Sequence, residues 1–106
     1  MAVVEVTVVP LGTGSTSISS YVADCHRVLR EAQGIAYQLT PMGTVLEGDL
    51  DSIWAVVRRM HEVPFAAGAA RVSTMLRIDD RRDKALTMEG KMASVAEKLD
   101  RRAKEE

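Results

Sequence analysis

Near the start of the chain, Ala2-Val3-Val4-Glu5-Val6-Thr7-Val8-Val9 is dominated by β-branched residues and is followed by Pro10. Such a run favours an extended strand over a helix, because branched side chains pack well on a pleated surface. Successive side chains of a strand point to opposite faces. Val4, Val6 and Val8 therefore form one wholly apolar side, and Val3, Glu5, Thr7 and Val9 a mixed one. Whatever else the chain folds into must cover the first side and accommodate the second.

The residues that follow supply the covering layer. Gly12-Thr13-Gly14-Ser15-Thr16 reads as a loop, and Thr16 or Ser17 is placed to cap a helix running to Gln33. Ile18, Tyr21, Val22, Cys25, Val28, Leu29 and Ala32 recur in it at helical spacing, and Gly34 ends it. Ile35 to Thr40 and Thr44 to Gly48 read as two strands joined by a tight Pro41-Met42-Gly43 connection. Asp49 or Asp51 caps a second predicted helix with Leu50, Ile53, Trp54, Val57 and Met60 on one stripe, ending before Pro64. Arg71 to Ile78 alternates as a fourth strand, with Val72, Thr74, Leu76 and Ile78 on one side. A third helix is expected over about 87–102, with Met88, Met92, Val95 and Leu99 on one face.

The order β-α-β-β-α-β-α predicts a single α+β domain over residues 1–106. It is a ferredoxin-like βαββαβ antiparallel four-stranded sheet with an additional C-terminal helix. Fourteen Lys+Arg against fifteen Asp+Glu leave a net charge of -1, which carries no footprint for nucleic acid. No stretch reaches the ~18 apolar residues of a membrane span, and no leader pattern precedes the first strand. With one cysteine, Cys25, there is no internal disulfide, and a cytoplasmic protein is expected. Aromatic residues are only 4% of the chain, so the core is built from smaller side chains and homo-oligomerisation would add to its stability.

Two helices on one side of the sheet leave the other side uncovered. That side is predicted to carry Glu5, Thr7, Gln38, Glu47, Arg71 and Ser73 among Val9, Val45 and Met75. A carboxylate turned inward costs several kcal/mol unless something pairs with it. Two readings stand for Glu5 and Glu47: an ion pair with Arg71, or a pocket beneath a second protomer for a cationic or amine-bearing aromatic ligand. In the second reading Thr7, Gln38 and Ser73 would supply hydrogen bonds, and Met42 or Met75 a soft surface for a ring.

No catalytic or metal-binding constellation can be assembled. Cys25 and His26 are adjacent on a helix and point about 100° apart, so they make no nucleophile–base pair. His26 and His61 read as boundary residues, and no Cys/His spacing fits zinc. The Gly12–Ser17 loop lacks the lysine of a phosphate-binding loop. Asp79-Asp80-Arg81-Arg82-Asp83-Lys84 interleaves its carboxylates with arginines, which favours an ion-paired turn over a cation site.

Pro41-Met42-Gly43-Thr44, Glu47-Gly48 and the Ile78–Lys84 run, with Val9-Pro10-Leu11-Gly12 and Ser20-Tyr21-Val22, resemble the small thiamine-binding (YkoF-like) family. The resemblance extends from about residue 2 to residue 99. It implies a ferredoxin-like protomer assembling into dimers or dimers of dimers. It also implies non-catalytic binding of thiamine or its hydroxymethylpyrimidine moiety, with no cofactor. The Pro41–Thr44 turn and Glu47 fall in the family's signature segment. Thr44 and Glu47 differ in strand parity, so both reach one pocket only if Gly43 reorients Thr44. The alternative is a structural or regulatory homo-oligomer with no small-molecule ligand.

Overall fold

A computed structural model describes residues 1–84 and 87–105, the last two as backbone only. The elements are β1 (Ala2–Leu11), α1 (Ser19–Glu31), β2 (Ala36–Thr40), β3 (Gly43–Gly48), α2 (Leu50–Ala66), β4 (Arg71–Asp80) and α3 (Met88–Glu105). The strands form one antiparallel sheet in the order β2-β3-β1-β4, the ferredoxin-like arrangement expected from the sequence. β1 lies inside the sheet, and its ladder with β4 runs from Ala2↔Asp80 to Leu11↔Arg71. Its ladder with β3 stops at Val6↔Thr44. Beyond Val6 the β3 side of β1 is a free edge, where Pro10 is tolerated inside the strand instead of ending it.

The core sits between the sheet and α1/α2. Val4, Val6 and Leu46 rise from the sheet to meet Cys25 and Leu29 of α1 and Ile53, Val56, Val57 and Met60 of α2. Trp54 departs from the predicted stripe: it is 48% exposed, and Val56 takes the inward place. One step of helix, about 100°, carries residue 54 past the edge of the face that Ile53 centres.

Two helix ends also differ from expectation. α1 starts at Ser19 with Ile18 as an N-cap that has no side-chain bond, because the upstream hydroxyls are used within the loop. Thr13 Oγ1 donates to the Ser15 carbonyl (3.1 Å), and Ser17 N donates to Ser15 Oγ (3.1 Å). α2 begins as predicted on Asp49, whose Oδ2 accepts from Ser52 N at 3.4 Å. It does not stop before Pro64, however, but includes it and continues to Ala66. The proline ring removes the N–H that would have reached the Met60 carbonyl. Cys25 Sγ donates to that carbonyl instead, at 3.5 Å.

The charged run begins inside β4 with Asp79 and Asp80 and continues beyond it as an ion-paired segment. Arg81 pairs with Asp83, Arg82 with Asp80, and Lys91 of α3 with Asp79. The Arg81 guanidinium holds the Asp83 carboxyl down to about 2. α3 starts on the uncovered face of the sheet, where Met88 N donates to Glu47 Oε2 (3.4 Å). Glu47 and Asp79 flank Val3 across the ladder, so the first turn of α3 bridges them and leaves Val3 only 8% exposed. The rest of α3 stands off the body, with Met92, Val95 and Leu99 exposed. The radius of gyration is 16.5 Å, against about 13 Å for a compact chain of this length.

Candidate functional site

Strand register divides the seven residues singled out from the sequence. Gln38, Val45, Glu5 and Arg77 form one row across the uncovered face, because Gln38 pairs with Val45, and Glu5 with both Val45 and Arg77. Glu47 and Ser73 share that face, opposite Val3 and Val9 respectively. Thr44 lies on the other side of the sheet, buried under α1, since β3 runs without a bulge at Gly43. Met42 stands at the hairpin turn, 83% exposed. Thr7 is half-buried beside that turn, its Oγ1 donating to the Met42 carbonyl at 3.4 Å. The uncovered-face carboxylates and Thr44 therefore do not meet in one pocket.

Nor does Arg71 pair with the acids. It opposes Leu11, six residues along β1 from Glu5, or about 20 Å. Glu47 is engaged by the start of α3, while Glu5 and Arg77 face each other without an ion pair among the described residues.

The large cavity is on the helix side. It measures about 1020 Å³ and lies between α1, the β2–β3 hairpin and the stretch of β1 that β3 leaves unpaired. Val6, Val8, Val22 and Met60 line it with apolar surface, and Thr7, Met42 and Thr44 bring three of the seven candidates to it. The turn that closes one end is held by Thr40, whose Oγ1 donates to the Gly43 carbonyl (2.9 Å) and accepts from Met42 N (3.3 Å). Gly43 is required there by close approach: a Cβ would sit 2.9 Å from Thr7 Oγ1 and 3.1 Å from the Val6 carbonyl.

At the centre, His26 Nε2 and Thr44 Oγ1 share a hydrogen bond of 3.3 Å. The Tyr37 ring meets His26 edge to face, with centroids 5.6 Å apart. Both helix-side threonines are used in this way, for His61 Nδ1 and Thr74 Oγ1 share a 2.6 Å bond at the far side of the core. Cys25 also borders the cavity, but burial pushes its thiol up to about 11, with the nearby Asp24 charge adding to the effect. A thiol so held is a poor nucleophile. Among the described residues no cluster of His, Cys, Asp or Glu could hold a metal ion, and no helix is long and apolar enough to cross a membrane.

From the sequence His26 reads only as a boundary residue, and Tyr37 is not singled out. The available signal was their placement: His26 lies one turn after Val22 on the flank of the apolar stripe, and Tyr37 alternates with Leu39 on the helix side of β2. Arg27 and Arg30, which also line the cavity, carry no such signal.

Comparison with known proteins agrees on one family. UPF0045 protein YqgV of Bacillus subtilis is 50% identical over 102 residues, covering 93% of this chain and 98% of that protein. A UPF0045 protein of Methanothermobacter thermautotrophicus is 46% identical over 100 residues, covering 93% of this chain and all of its own length. The solved structure of hypothetical protein MJ1052 from Methanocaldococcus jannaschii superposes with a TM-score of 0.81 at 38% identity, over 91% of this chain and 96% of that one. The profile described as thiamine-binding protein matches residues 4–96, and the chain belongs to that family.

Proposed function

We propose that the protein binds thiamine or its hydroxymethylpyrimidine moiety, without transforming it, in the cavity beneath α1. The observation that carries this reading is the His26–Thr44 pair set in an apolar cavity of about 1020 Å³, with Tyr37 beside it. A pyrimidine bearing an exocyclic amine offers donors and acceptors along its edge and a flat apolar face. Thr44, His26 and the hairpin carbonyls answer the edge, while Tyr37 and Met42 answer the face. Such a combination supports roughly micromolar binding, about -8 kcal/mol. Membership of the thiamine-binding family supports the ligand class. The lone, buried thiol of Cys25 supports a cytoplasmic setting.

Titration calorimetry with thiamine and hydroxymethylpyrimidine tests the reading. Binding by the wild type, weakened about tenfold or more in His26→Ala and in Tyr37→Ala, is the expected result. Absence of heat with both ligands at millimolar concentration overturns it.

A homo-oligomer without a ligand is the second reading, favoured by the uncovered face. Met75 is 73% exposed there, Arg77 and Glu5 face each other without an ion pair among the described residues, and Met92, Val95 and Leu99 of α3 are exposed. An oligomer built on these surfaces is compatible with the cavity, which is lined mainly by α1, the β2–β3 hairpin and the helix side of β1. The two readings separate if His26→Ala removes binding while leaving the assembly unchanged.

A further inference from the structure

The charges around the cavity specify its guest more narrowly than its shape does. Arg27 and Arg30 both line it, and among the described residues no carboxylate does. Arg27 makes only a 3.6 Å contact with Asp24 at the helix surface, its own side chain 78% exposed. Arg30 has no acidic partner among the described residues, whereas its neighbour Glu31 is taken by Arg59 at 3.0 Å. Two arginines one turn apart thus border an apolar cavity, Arg30 with no acidic partner among the described residues and Arg27 with only the Asp24 contact. The carboxylates that would suit a cation, Glu5 and Glu47, are on the other face of the sheet.

We infer that the cavity selects an aromatic heterocycle carrying a phosphomonoester, such as the phosphate ester of the pyrimidine alcohol, over a permanently cationic ligand such as thiamine. This rests on the cavity being the ligand site. The ring would lie against His26 and Tyr37, with the phosphate reaching Arg30 and Arg27, whose planar forks match phosphate oxygens in pairs. A thiazolium placed at the same end would be repelled by both.

Calorimetry with hydroxymethylpyrimidine, its monophosphate, thiamine and inorganic phosphate tests this on the wild type and on the Arg27→Gln/Arg30→Gln variant. The monophosphate is expected to bind about tenfold more tightly than the alcohol, and thiamine more weakly than either. In the double variant the advantage of the monophosphate over the alcohol should fall to within twofold. The inference is overturned if alcohol and monophosphate bind equally to the wild type, or if thiamine binds most tightly. An advantage that survives in the double variant, or inorganic phosphate matching the ester, overturns it as well. If the alcohol still binds in any of these cases, the cavity stands as the ligand site. If no ligand binds, both readings fall.

Discussion

The Cys25 thiol donates to the Met60 carbonyl, replacing the main-chain bond that Pro64 removes from α2. One side chain of α1 thereby completes the last turn of α2, which runs on through the proline to Ala66. Cys25→Ala removes both the donor and buried volume, and should lower stability by about 1–2 kcal/mol. Denaturant unfolding of the two proteins measures the difference, and a loss below the error of the fit would rule out this role.

The same thiol makes stability depend on alkaline pH. Its ordinary value of 9.0 is raised to about 11 in the folded protein, chiefly by burial. The folded state therefore holds the proton more tightly than the unfolded chain. The stabilisation is complete below pH 9 and is lost as pH climbs towards 11, amounting to about 2–3 kcal/mol at most. Melting curves across that window should fall more steeply for the wild type than for Cys25→Ala.

Gly43 sets the distance between the hairpin turn and β1. In Gly43→Ala the new methyl group must displace Thr7 or the Val6 carbonyl, at a cost of about 1–3 kcal/mol. Because the same turn closes the cavity, affinity for the pyrimidine should fall together with melting temperature. An unaltered titration in a folded Gly43→Ala protein would separate the turn from the site.

Thr44→Val keeps the shape of the side chain and removes its hydroxyl. His26 is half-buried and can find water, so stability should change by less than about 1 kcal/mol. Binding should weaken several-fold, because the ligand loses a fixed hydroxyl and an oriented imidazole together. Equal affinities for Thr44→Val and wild type would place the ligand elsewhere.

The exposed stripe of α3 has its own consequence. Light scattering at tens of micromolar should give a mass at least twice 11.6 kDa. Val95→Glu, which puts a charge in the middle of the stripe, should lower that mass without shifting far-ultraviolet dichroism. A wild-type monomer at that concentration would contradict assembly through these surfaces.

The sheet was legible because alternation is a local property: Val4 and Val6 sort from Glu5 and Thr7 without knowledge of any partner strand. Parity also warned that Thr44 and Glu47 face opposite ways, and the unbulged register at Gly43 bears that out. The cavity was not legible. It exists because β1 outruns β3 by several residues, and the relative lengths of two paired strands follow from tertiary packing. His26 was hidden for a related reason, since its partner Thr44 lies on a strand whose pairing the helix sequence does not encode. Pro64 misled the reading of α2 because the compensating donor, Cys25, comes from another helix.

The ladder joining Ala2–Leu11 to Arg71–Asp80 also governs when the molecule can form. During synthesis the first strand leaves the ribosome early and then waits, its valine side bare, until the segment that zips along its full length has emerged. Folding should consequently be a late and largely concerted event, with a high proportion of distant pairings and a slow rate for so small a chain.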